Sequence, residues 1–273
     1  HFIFMSNHLH MLIRINDPED TPKFVAYVKR ETAHAINRLL NRKRHTVWCE
    51  GYDDPKILTA QDVIRYIVYI YLNPVAARLV ASIKDYPGVS SWEMYTKSCV
   101  ACSYKWIRRS SIIPLTSNEM SYAEQRKYIN ALIDNSNTEH SFTLEPNAWM
   151  ESFSETCNAD SKVVNTEILA EIRAQEKLLL QRGPVVGVEV LTAEPINKKH
   201  IPKKHGLRML CLCSNKALRI AFITWFKILQ KEARQVYLAW KLGDFTAKLP
   251  PGFFAPGGHL LCNLIGMPTT VLS

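Results

Sequence analysis

With 273 residues, 47% of them hydrophobic, the chain has enough apolar material for one large or two ordinary domains, so disorder is not the default expectation. Its formal charge of +9 points to a polyanionic partner. The most apolar stretch, Val63 to Val80, is broken by Arg65, Asn73, Pro74 and Arg78, so nucleic acid is expected rather than membrane.

Seven cysteines without framework spacing fit a reducing compartment, and a cytoplasmic location is expected. The chain opens in a strand-like run with neither an initiating Met nor a charged leader, as a piece lacking its natural start would. That run, Phe2 to Ile13, reads as a strand carrying His8 and His10 on one face with Leu9 pointing into the core. Two imidazoles on one face can share a metal ion; the alternative is two unrelated polar residues on a half-buried strand.

Thr21-Pro22 reads as a helix start, with Phe24, Val28, Ala35, Ile36, Leu39 and Leu40 on a helical period. The basic cluster that follows, Arg42, Lys43, Arg44 and His45, is a solvated helix end or a loop that contacts phosphates. Val47 to Asp53 is expected as a short strand or extended segment. Thr59-Ala-Gln-Asp62 has a capping-box pattern and opens a helix that Pro74 should stop or kink. Arg65, Tyr69 and Asn73 fall four residues apart on one stripe of that helix. A helical tyrosine is more often a packing residue than a nucleophile, because it needs activation to attack.

Taken together, these motifs resemble those of the single-tyrosine HUH transposases, in particular the REP-associated tyrosine transposase group. Met5-Ser-Asn-His-Leu-His-Met-Leu-Ile13 is similar to that group's Met-Pro-Asn-His-x-His signature. Val47-Trp48 to Tyr52-Asp53 resembles its middle motif. Tyr69-Ile-Tyr-Leu-Asn-Pro-Val75, with Leu79-Val80, Asp85-Tyr-Pro87 and Ser90-Ser91-Trp92 after it, resembles its Tyr-Ile-His-x-Asn-Pro-Val helix. The resemblance implies an α+β fold of HUH (ferredoxin-like) type, an antiparallel sheet with flanking helices and the histidines on a central strand. It implies Tyr69 as nucleophile, and His8, His10 and Asn73 as ligands of a divalent metal, Mg or Mn. The substrate implied is single-stranded or hairpin DNA, with Arg42, Lys43, Arg44 and Arg65 as DNA contacts and no bar to a homodimer. The group has a strand and helix before the histidine strand, which this chain lacks, so an unpaired sheet edge is expected. Ser6 stands where the group has Pro, and Tyr71 where it has His. Tyr66 and Tyr52 are the lesser nucleophile candidates.

The resemblance covers about residues 1–97, taken as the catalytic domain; 98–205 reads as a helical and loop-rich extension and 206–273 as a strand and long-helix segment. Cys99-Val-Ala-Cys102 is a lone Cys-x-x-Cys pair, and Trp106, Arg108 and Arg109 beside it read as solvated surface or as strand contacts. Ser121 should cap one helix, and another should run from about Thr166 to Gln181 with loops between. Lys198, Lys199, Lys203 and Lys204 form a second basic cluster. His200, His205, Cys211 and Cys213 match no zinc spacing. Ser214 should cap a long helix to about Leu242 whose aromatics, Trp225, Phe226, Tyr237 and Trp240, are expected in a core, with a turn-rich tail from Leu249 to Gly258. The enzymatic expectation is a metal-dependent strand transferase; its rival is a non-catalytic hairpin-DNA-binding protein derived from one.

Overall fold

Residues 2–11 form a hairpin where a single strand was expected. In the computed structural model, which describes residues 1–97, 101–112, 122–193, 209–250 and 252–253, strand β1 (Phe2–Phe4) pairs antiparallel with β2 (Leu9–Met11). Met5 N donates to His8 O at 2.8 Å across a turn holding Ser6 and Asn7, residues that suit reversals. Val89 to Ser91 lie along the other edge of β1: Phe4 N donates to Val89 O at 2.8 Å and Ser91 N to Phe2 O at 3.0 Å. That edge is therefore covered, and β2 is the outer strand of the pair among the described residues rather than a central one.

Helix α1 (Asp20–Leu39) opens one residue before Thr21, which is buried in the first turn instead of standing outside it as a cap. It ends with Asn41 at a φ of 50°, while Asn41 N reaches Arg38 O and Arg42 N reaches Asn37 O. This is a Schellman stop, with Asn supplying the left-handed residue. The 47–53 segment forms no regular strand. It is held on α1 by Trp48 Nε1 donating to Thr32 Oγ1 at 2.8 Å and by Lys29 Nζ donating to the carbonyls of Cys49 and Gly51.

Helix α2 (Ala60–Ala76) begins as expected: Thr59 Oγ1 accepts from Asp62 N and bonds the Asp62 carboxylate at 2.6 Å. Pro74 does not stop it, because the helix continues two residues further. Closure comes at Arg78, whose φ is 63°, with Arg78 N donating to Val75 O and Leu79 N to Pro74 O. The Arg78 guanidinium donates to Leu179 O at 2.6 Å and Pro184 O at 2.7 Å, while Val186 N and Gly187 N donate to the Arg78 and Leu79 carbonyls.

Helix α2 buries Val63, Ile67, Ile70, Tyr71 and Pro74 and packs against α5 (Ser161–Leu180). The latter starts at an Asp160 cap, earlier than its sequence period suggested, and buries Val164, Ile168, Ile172 and Leu179. Glu176 accepts from both Ser82 Oγ and Ile83 N. The short α3 (Trp92–Thr96) follows that segment. Between α3 and α5 lie β4 (Ala101–Lys105), α4 (Tyr122–Asp134) and β5 (Glu139–Thr143), and α6 (Val188–Ala193) follows α5. β4 and β5 pair antiparallel, placing a strand inside a stretch expected to be loops. These elements, with His1–Arg14 and Tyr27–Asp53, make one compact unit.

A second unit comprises Ile15–Ala26, Asp54–Leu58 and the described residues from Met209. Within it β3 (Lys56–Ile57) pairs in parallel with β6 (Cys211–Leu212). Helix α7 (Lys216–Lys241) is capped by Asn215, which accepts from Leu218 N at 3.1 Å, and not by Ser214. Of its expected core aromatics, Trp225 is 54% exposed and Tyr237 38%, while Phe226 and Trp240 are half-buried, and Ala233 is the buried residue of the helix. Helices outweigh strands throughout, and the fold is α+β. No helix among the described residues is long and apolar enough to cross a membrane. Cys99, Ser121, Lys198, Lys199, His200, Lys203, Lys204, His205 and the tail after Phe253 lie outside the described residues.

Candidate functional site

The hairpin and α2 bring His8, His10 and Tyr69 together. Ile3 and His10 are directly opposed across the β1–β2 ladder, so they share a face of the sheet, and Ile3 is fully buried. The His10 side is thus the inner one, contrary to the expectation that Leu9 points inward; Leu9 is half-buried on the other face. His8 lies at the end of the turn, just before β2, and its ring meets that of His10 edge-on with centroids 4.7 Å apart. The Tyr69 hydroxyl lies 3.5 Å from His10 Nε2, at the outer limit of a hydrogen bond. His8 Nδ1 bonds Asn7 Oδ1.

Burial lowers the His10 pKa to about 4, and the neighbouring His8 imidazole adds to the effect. His10 is therefore neutral near neutrality, the form in which imidazole binds metal. Among the described residues no group of three His, Cys, Asp or Glu side chains is placed to hold a metal. The donor set at this point consists of two imidazoles, which suits a divalent ion whose other ligands are oxygens.

Tyr69 is 46% exposed, on the outer stripe of α2 together with Arg65. Asn73 is half-buried one turn further along. Arg65 is exposed and lies 3.4 Å from the buried Asp62 carboxylate. Tyr66 stacks on Tyr69 with ring centroids 5.7 Å apart, and burial raises its pKa, which suits support for the Tyr69 ring. Arg42, Lys43 and Arg44 follow the Schellman turn of α1, with Lys43 and Arg44 exposed and Arg42 half-buried. Asn37 Nδ2 donates to His45 O at 2.7 Å and ties this loop to the helix.

Tyr71 answers the departure noted in the sequence. Two residues from Tyr69 on a helix means roughly 200° of rotation, which turns its ring into the core. Its hydroxyl is fully buried, 2.8 Å from His1 Nδ1 and 2.9 Å from Ser91 Oγ, and burial raises its pKa strongly. Ser91 Oγ also accepts from Phe2 N at 2.8 Å, so this chain of bonds links α2 to β1. The residue is structural here, holding α2, which carries Tyr69, to β1, the strand that pairs with the β2 of His10. Sequence reasoning met Ser91 only as part of the Ser90-Ser91-Trp92 motif, with no role given to it, and had no signal for His1.

With this geometry in place, one comparison is informative. Residues 1–71 match the family model of IS200-like transposases. The match makes this segment, about a quarter of the chain, similar to that family. It takes in His8, His10, the Arg42–Arg44 loop, Arg65 and Tyr69, and ends two residues before Asn73. No curated protein and no solved structure matches the chain.

Proposed function

We propose that the transposase-like segment cleaves and rejoins single-stranded DNA through a tyrosine nucleophile, in the manner of the REP-associated tyrosine transposase group. The observation that carries this reading is the Tyr69 hydroxyl 3.5 Å from His10 Nε2, between elements that a buried hydrogen-bond chain holds together. Tyr69 Oη attacks the scissile phosphorus and gives its proton to solvent, to which the residue is open. The P–O3′ bond breaks, the leaving 3′-oxygen takes up a proton, and a 5′-phosphotyrosine ester keeps the bond energy for rejoining. His8, His10 and Asn73 would hold a Mg or Mn ion, which supplies Lewis-acid polarisation of the phosphate when bound. Arg42, Lys43, Arg44 and Arg65 contact the DNA backbone, consistent with the charge of +9, and a hairpin at an element's end is the substrate form.

The alternative is a non-catalytic hairpin-DNA-binding protein. The exposed Lys43 and Arg44 beyond the α1 turn would serve such binding without any cleavage. A trapping assay separates the two. Labelled single-stranded hairpin DNA with Mn or Mg should give a denaturation-resistant adduct that Tyr69→Phe and a chelator each abolish. Binding of unchanged affinity without any adduct would establish the binder instead.

A further inference from the structure

The β4–β5 ribbon lies outside the family match and has two unlike faces. Its register sets Cys102 opposite Phe142 and Tyr104 opposite His140, so these four share one face. Trp106, whose amide donates to Thr138 O at 2.6 Å, extends that face by one more ring. Tyr104 and Phe142 stack at 5.5 Å with planes 10° apart, and Trp106 meets His140 edge-on at 5.0 Å. Ser103, Lys105, Glu139 and Ser141 occupy the opposite face. Three large rings on the first face are open to solvent: Tyr104 is 53% exposed, Phe142 42% and Trp106 40%.

Single exposed aromatics need no explanation, but a continuous row of them on one face of a strand pair does. We propose that this face is a base-stacking platform for single-stranded DNA. Three features select that occupant. Aromatic faces accept any base, and each stacked base contributes appreciably to affinity. The two ring pairs are two residues apart along β4, roughly 6.8 Å, about twice the spacing of stacked bases, so they suit an unstacked strand rather than a duplex. The stripe also opens through Cys102 and Tyr104 into a groove of about 360 Å³ lined by Lys84 and by Lys97, the latter ion-paired with Glu93 at 3.2 Å. Arg108 is exposed just beyond Trp106. Cations flanking a row of rings complement a strand whose phosphates and bases alternate.

The inference rests on the single-stranded-DNA reading of the transposase-like segment, and the test separates their failures. Binding of a short fluorescent oligothymidylate to the full chain is measured by anisotropy. Tyr104→Leu with Phe142→Leu should weaken it at least tenfold, whereas Tyr104→Phe, which keeps the ring, should leave it within twofold. Photocrosslinking with bromodeoxyuridine-substituted oligonucleotide should label peptides containing residues 101–106 or 139–143. At saturating hairpin DNA, the leucine variant should still form the Tyr69 adduct. Ribbon-dependent binding without any wild-type adduct would sink the strand-transfer reading and leave the platform standing. Equal affinity of the leucine variant and the wild type would overturn the platform. So would a change in sedimentation mass with unchanged DNA affinity, which would assign the face to a second copy of the chain.

Discussion

At the residue scale, Tyr69 and Tyr71 show how one helix gives the same side chain two roles. Two steps along α2 separate a ring at the solvent edge beside His10 from one sealed between β1 and α3. Tyr71→Phe should leave His1 Nδ1 without its hydroxyl partner and take one bond from Ser91. Unfolding in urea should then show a loss of about 1–3 kcal/mol, the cost of orphaning a buried polar atom. No change would mean that solvent or rearrangement satisfies the group. His10 carries a pH signature. Its pKa falls from 6.5 to about 4 on folding, so between those values the unfolded chain binds more protons than the folded one. Its contribution is therefore fully present above pH 6.5 and is lost as pH falls toward 4. Thermal melts should drop across that window, and the drop should shrink in His10→Gln.

At the scale of elements, the end of α2 is the joint to watch. Arg78 sits in the left-handed region, which costs a non-glycine residue about 1–2 kcal/mol, and its guanidinium ties down the last carbonyls of α5 and the following turn. Arg78→Ala keeps the strain and loses both bonds; Arg78→Gly loses the bonds but relieves the strain. Both variants should be less stable than wild type, and the glycine variant should exceed the alanine variant by about 1 kcal/mol in chemical denaturation. An alanine variant at least as stable as glycine would show that the turn does not keep its positive φ.

These elements also show what could be read beforehand and why the rest could not. The start of α2 was legible because Thr59 and Asp62 lie three residues apart and satisfy each other locally. The end was not, because a Schellman turn on arginine has no glycine to announce it. The β1–β2 hairpin was missed because its turn, Ser6-Asn7, sits inside a run of apolar and imidazole residues that reads as one strand. β4 and β5 carry a visible alternation in Cys102, Tyr104 and Trp106 and again in His140 and Phe142, but their pairing across some three dozen residues is not a local property (about the range where only tertiary contact decides).

At the scale of the whole molecule, charge is the property that bears on function most directly. A chain of net charge +9 that contacts phosphates should bind single strands with strong salt dependence. Replacing Arg42, Lys43 and Arg44 by alanine should lower the slope of log affinity against log salt by about 2 if all three meet phosphates. An unchanged slope would place the loop away from the DNA.

The sequence by itself determined the α+β class, the helical stripe of Arg65, Tyr69 and Asn73, the capped start of α2 and the motif order of the transposase-like segment. Each of these follows from residues close in the chain, where spacing alone sets which side chains are neighbours. Only the tertiary structure decided that the His10 face is the inner one, that Tyr71 belongs to the core and Trp225 does not, and that an aromatic row runs along the β4–β5 ribbon. Those outcomes depend on which distant segment covers a face. Apolar surface is buried against whatever packs there, and a sequence pattern marks a face without naming its partner.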